Sequence, residues 1–195
     1  MLTDRLSEAF CYAERLHRTQ TRKGNDIPYV AHLMAVCAMV LEWGGNEDVA
    51  IAALLHDAVE DQGGLETLAE IKSQFGDRVA EIVAACSDSL TADKTTKAPW
   101  QERKDATVKK LRTADHDVAL VTAADKLHNL SAIVRDVRRD GPQTMSRFNA
   151  TAERVVWYHG AVAEALELHR ASTPVAEIEE ANAELAVLLG LTVPL

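Results

Sequence analysis

The sequence predicts an all-α chain, folded as a compact multi-helix bundle, and two observations carry that prediction. Apolar residues recur at three- and four-residue intervals in one stretch after another, and no stretch alternates apolar with polar in the way a half-buried strand does. At 195 residues, with 47% hydrophobic and 26% charged residues and no linker rich in Pro, Gly or Ser, the chain is expected to form one domain over residues 1–195.

The helices follow in order. Thr3 suits an N-cap, and Leu6, Phe10, Ala13 and Leu16 give a first helix to about Arg18. A break over residues 19–27 holds Arg22, Lys23, Gly24, Asn25 and Asp26. Pro28 then suits the first turn of a helix through Leu33, Cys37 and Leu41 that Gly44-Gly45 ends. A third helix starts near Glu47. Gly63-Gly64 precedes a short one with Leu65, Leu68, Ile71 and Phe75, and another covers Asp77 to about Cys86. After a polar loop from Ser87 to Pro99, charged helices are expected from Trp100 to about Arg112 and from Asp117 to about Asp140. A single long helix is expected over 144–169, and a packing helix over about 174–190.

The third helix carries the chemistry. In Leu54-Leu55-His56-Asp57-Ala58-Val59-Glu60-Asp61, a regular helix projects His56, Asp57, Glu60 and Asp61 within an arc of about 140°. Their neighbours are almost wholly apolar. Three acids and an imidazole among Val49, Ile51, Leu54, Leu55 and Val59 cost several kcal/mol unless something positive compensates them. Asp125 repeats the situation inside Val121-Thr122-Ala123-Ala124, with Asn129 one turn on, and His32 lies inside the second helix.

His32, His56, Asp57 and Asp125 thus put two imidazoles and two carboxylates on three buried helices. Mixed N/O ligation suits a catalytic Mn²⁺, Mg²⁺, Fe²⁺ or Zn²⁺; the alternative is a core in which these groups pair with basic side chains. Glu60 and Asp61, one turn beyond, are candidates to orient and deprotonate an attacking water. Between Lys94 and Arg112 seven cations face two acids, either a solvated face or a polyphosphate cradle in which Lys97, Arg103 and Lys104 are candidates.

Composition narrows the classes. A net charge of −9 argues against a nucleic-acid partner. Cys11, Cys37 and Cys86 are widely spaced among apolar neighbours, so reduced core thiols and a cytoplasmic location are expected. Neither a signal peptide nor a membrane span is expected.

The motifs resemble a known family. His32, His56-Asp57 and Asp125 are similar to the H…HD…D signature of HD-domain metal-dependent phosphohydrolases. Arg22-Lys23 with Pro28-Tyr29-Val30-Ala31-His32, the His56-Asp57-Ala58-Val59-Glu60-Asp61 run, and Ala124-Asp125-Lys126-Leu127-His128-Asn129 resemble the hydrolase domain of RelA/SpoT enzymes over about residues 18–158. The stand-alone small alarmone hydrolases are the nearest in size.

That resemblance implies a bundle of about eight or more helices and one divalent metal, usually Mn²⁺, on His32, His56, Asp57 and Asp125. It implies a nucleotide substrate, (p)ppGpp, cleaved to GDP or GTP and pyrophosphate with Glu60 and Asp61 activating water. Arg22 would stack on the purine, Lys23 would meet phosphate and Asn129 the ribose. A homo-oligomer fits the resemblance without being required by it. The chain departs from the bifunctional enzymes at Gly24, where they carry a serine, and at Ala132, where they carry a threonine. Lost hydroxyls near the base make an adenine alarmone, (p)ppApp, or another phosphate ester the alternative substrate, and a module that binds a nucleotide without turning it over is the third reading, disfavoured by the presence of both Glu60 and Asp61.

Overall fold

The computed structural model describes residues 1–91, 98–170 and 172–191. Nine α-helices run through the described residues: α1 (Asp4–His17), α2 (Val30–Glu42), α3 (Glu47–Leu55), α4 (Leu65–Phe75), α5 (Asp77–Cys86), α6 (Trp100–Leu111), α7 (His116–Asp140), α8 (Ala152–Ala165) and α9 (Val175–Leu188). No strand forms among the described residues. An isolated antiparallel bridge, Thr21 to Pro28, closes the loop between α1 and α2. No helix there is long and apolar enough to cross a membrane.

Helix starts follow side-chain chemistry. Thr3, Asn46, Asp115 and Thr151 each accept a backbone N–H of the first turn, which satisfies donors that have no partner within the helix. Gly64 sits at φ +62, a conformation that glycine adopts without strain, and it turns the chain into α4.

The core has two lobes with a shared spine. One packs α1 to α5 against the start of α7; the other packs α6, α8 and α9 against the rest of α7. At 25 residues, α7 is about 37 Å long, enough to serve both. Val118, Leu120, Val121 and Ala124 face the first lobe, and Ala119, Ala123, Leu130, Ile133 and Val137 the second. α3 lies at the centre of the first lobe, where Val49 to Leu55 are all buried.

Two expectations are corrected. The helix over 144–169 is instead a 3₁₀ segment (Pro142–Arg147), an extended Phe148, α8 and a second 3₁₀ turn (Glu167–His169). Ser146, Arg147 and Asn149 interrupt the apolar period, and Thr151 restarts the helix as an N-cap. Cys37 is buried as expected, but Cys11 faces solvent; the three thiols are free.

Candidate metal centre

α3 does not run through its own motif. It ends at Leu55, His56 and Asp57 form a turn, and Val59–Gly63 make a π-helical turn, closed by Gly64 N–H on the Val59 carbonyl at 2.9 Å. The regular-helix arc expected for His56, Asp57, Glu60 and Asp61 is therefore replaced by a wider turn. π-turns swing side chains out of the 3.6-residue register and recur where a helix must aim several groups at one point. The Gly63-Gly64 pair that ends it tolerates the irregular backbone.

Four donors converge. His32 comes from the first turn of α2, His56-Asp57 from the end of α3 and Asp125 from the middle of α7. His32 Nε2 is 3.2 Å from Asp125 Oδ1 and 3.7 Å from Asp57 Oδ2, while His56 Nε2 is 3.0 Å from Asp57 Oδ2 and 3.6 Å from Asp125 Oδ1. Ligands about 2.1 Å from one cation at right to tetrahedral angles are about 3.0–3.5 Å apart, so the spacing fits a shared divalent ion. Both Nε2 atoms are buried and make no hydrogen bond among the described residues. His56 Nδ1 contacts the Ala53 carbonyl at 2.8 Å, the arrangement that leaves the Nε2 lone pair for a metal, and His32 Nδ1 meets His128 Nδ1 at 2.7 Å.

The charges show the same demand for a cation. Burial opposes protonation of His56, yet Asp57 and Asp125 outweigh it and hold the imidazole well above its usual range. Burial likewise pushes Asp57 and Asp125 upward. His56 and His32 at the first, and Lys126 with the same histidines at the second, reverse it and keep both carboxylates ionised. Tyr29 adds an O–H donated to Asp57 Oδ2 at 2.5 Å.

Glu60 and Asp61 flank this cluster and are held from outside it. Gln20 donates to Asp61 Oδ2 at 2.7 Å and accepts from Gln62 at 2.6 Å. Glu60 accepts the Asp88 backbone N–H at 3.3 Å and lies 3.6 Å from Arg103. The cluster opens into a cavity of about 280 Å³ lined by Glu60, Asp61, Asp88, Arg103, Lys104 and Lys126. That space continues past Tyr29, Trp100 and Asn129 into a second cavity of about 300 Å³, with Arg22, Lys23, Ala132, Phe148 and Tyr158 on its walls.

Arg103 and Lys104 reach the groove, whereas Lys109, Lys110 and Arg112 of the same segment face solvent. Lys97, and Lys94 with it, lies outside the described residues. Arg22 donates to Asn129 Oδ1 at 2.5 Å with its guanidinium over the Tyr29 ring; Lys23 is exposed and donates to Asn149 at 3.2 Å.

Sequence reasoning missed Asp88 and Lys126. Asp88 follows α5 and gathers Arg103 at 3.2 Å, Lys104, and the Thr107 hydroxyl at 2.6 Å. No local pattern announces such a long-range partner. Lys126 donates to Asp125 Oδ2 at 2.5 Å; burial opposes its charge, but Asp125, Tyr158 and Asp88 keep it an ammonium. Its place in the Ala124-to-Asn129 run was the available signal.

A family model for the HD domain matches residues 9–154. The chain is 36% identical to a GTP pyrophosphokinase of Streptomyces coelicolor over 73% of its own length and 16% of that protein's. It is 30% identical to the bifunctional (p)ppGpp synthase/hydrolase SpoT of Escherichia coli K12, over 80% and 22%. It thus spans about a fifth of the length of these curated relatives. A solved metazoan orthologue of SpoT, described as hydrolysing ppGpp, superposes with a TM-score of 0.70 at 28% identity, covering 98% of this chain and 99% of that one. With most of its length matched and His32, His56, Asp57 and Asp125 gathered at one point, the chain belongs to the HD-domain family.

Proposed function

We propose that this protein is a metal-dependent phosphohydrolase that removes the 3′-diphosphate of (p)ppGpp, giving GDP or GTP and pyrophosphate. The observation that carries the reading is the juxtaposition of the buried His/Asp cluster with a groove lined by both carboxylates and cations. His32, His56, Asp57 and Asp125 would hold the metal, Mn²⁺ by resemblance to the family. A bound divalent cation would supply Lewis acidity toward the phosphoryl oxygens and make water more acidic.

The protein's own groups do the rest. Glu60 and Asp61 take the proton of the attacking water, which adds to the phosphorus bonded to the ribose 3′-oxygen. The bond to that oxygen breaks, the oxygen leaves as the ribose 3′-hydroxyl by taking a proton from solvent while the carboxylates release theirs, and the water oxygen departs in pyrophosphate. Lys126, Lys104 and Arg103 stabilise charge building on the phosphoryl oxygens. Arg22 stacks on the purine, Asn129 contacts the ribose and Lys23 meets phosphate at the rim.

A product analysis tests the reading. The purified chain with Mn²⁺ is given ppGpp and a nucleoside monophosphate in parallel, with and without chelator. Chelator-sensitive pyrophosphate from ppGpp supports it. Orthophosphate from the monophosphate alone assigns the site to a different phosphate ester.

A further inference from the structure

The base end of the groove lacks the hydroxyls that the RelA/SpoT pattern puts at positions 24 and 132, and a different side chain occupies the space. Gly24 has φ +82, and a Cβ added there would lie 2.6 Å from Arg147 Cδ and 3.3 Å from Arg147 Cβ. A side chain at 24 and the Arg147 stem exclude one another. Ala132, on the wall contributed by α7, leaves the facing side open as well.

Arg147 is built in rather than loose. Its NH2 donates to Asp136 Oδ2 at 2.5 Å, its guanidinium lies 4.9 Å from the Phe148 ring centroid, and the Arg147 and Asp136 side chains are 17% and 13% exposed. Asp136 is itself steadied by Arg139 at 3.3 Å. Against this anchoring, Arg147 Nε is buried and without a hydrogen-bond partner among the described residues. A guanidinium carries five N–H donors and the Asp136 contact uses one, so a side chain that lines the groove keeps terminal donors for a ligand.

We infer that Arg147, fixed by Asp136 and admitted by Gly24, is the residue that selects the base, donating to the adjacent O6 and N7 acceptors of a 6-oxopurine. This inference rests on the nucleotide reading of the groove. Guanine and hypoxanthine present two acceptors on that edge, where adenine replaces one with the N6 amino donor. A planar fork that can only donate therefore favours guanine and hypoxanthine, so the changes at Gly24 and Ala132 exchange one means of base recognition for another.

The test uses the full chain with Mn²⁺ and two readouts: kcat/KM for ppGpp, ppIpp and ppApp, and calorimetric Kd for GDP, IDP and ADP. The wild type is expected to favour guanine and hypoxanthine over adenine by about 10- to 100-fold, the range of one bidentate base contact. Arg147→Ala should bring the ratio to within about 3-fold by losses on the oxopurines alone. Arg147→Lys keeps a cation beside Asp136 and loses the fork; it should do the same, and it carries the test if the alanine variant does not fold.

An equal fall for all three bases, or a ratio that neither variant changes, overturns the inference. The two readouts separate it from the hydrolase reading. Absent alarmone turnover with an Arg147-dependent preference for GDP over ADP would sink the hydrolase alone, and turnover without base preference would sink the base selection alone.

Discussion

The two ends of the groove differ in how much of their lining comes from loops. At the metal end His32 and Asp125 sit on α2 and α7, and His56 and Asp57 lie in the turn between α3 and the π-turn, all within one interlocked set of contacts. At the base end Arg22, Lys23 and Gly24 lie on the α1–α2 loop, and Arg147 and Phe148 on the irregular stretch before α8. Helices fix atoms within fractions of an ångström for in-line chemistry, while loops carry the contacts that differ between substrates. On the proposed reading, the difference makes reaction and specificity separable, so that the two ends should fail differently when broken.

Asp57→Ala should break the metal end outright. It leaves two imidazoles facing one carboxylate, and we expect loss of calorimetric Mn²⁺ binding and a fall in turnover of at least about 10³-fold. Metal removal extends the test. If Mn²⁺ at about 100 times its Kd stabilises the fold by about 2.7 kcal/mol, a chelator should lower Tm by about 5–10 °C in the wild type and by nothing in Asp57→Ala. Equal shifts in both proteins would mean that the ion binds elsewhere.

Glu60→Gln sharpens the distinction between holding the metal and using it. The substitution keeps the shape and an acceptor for the Asp88 N–H but cannot take a proton. Metal stoichiometry should stay at one while kcat drops by about 10²- to 10³-fold. Full activity in this variant would remove Glu60 from water activation.

Legibility divides along the same line. The gathering of the metal-end residues could be read because charges among Val49, Leu54 and Val59 are a local contradiction that a basic side chain or a metal ion must resolve, and because Asp125 repeats it within one helix. The boundaries of α4, α5 and α6 were equally local, set by Gly64, Gly76 and Pro99. What could not be read depends on partners distant in sequence. The π-turn requires knowing that His56 must face His32 across α2. Asp88 declares itself only once α6 lays Arg103, Lys104 and Thr107 upon it, and Arg147 acquires meaning only against Gly24.

Arg22→Ala probes the base end with a smaller effect. Losing a guanidinium stacked on a base costs about 1–3 kcal/mol of binding, so KM should rise by about 10-fold or more with kcat within 2-fold of the wild type. An unchanged KM would take Arg22 out of base stacking. A matched fall in kcat would mean that its bond to Asn129 transmits to the metal end, which would break the separation of the two ends.

Asp88 stands between the two ends and should give the smallest effect, one of stability more than of chemistry. Its side chain is 6% exposed and neutralises Lys104 and Arg103, so Asp88→Asn should destabilise the fold by about 1–3 kcal/mol at pH 7. Burial would raise this carboxyl, but Lys104 and Lys126 outweigh it and hold it below its usual value. A group with a depressed folded-state pKa stabilises fully above the unfolded value of about 3.9 and loses that contribution as pH falls through the folded one. Denaturant midpoints of wild type and Asp88→Asn should therefore run parallel from pH 8 to 5 and converge below about pH 4. Midpoints that stay parallel into acid would assign the loss to the Thr107 hydrogen bond, a neutral contact with no proton linkage, and leave the cations of α6 anchored by other means.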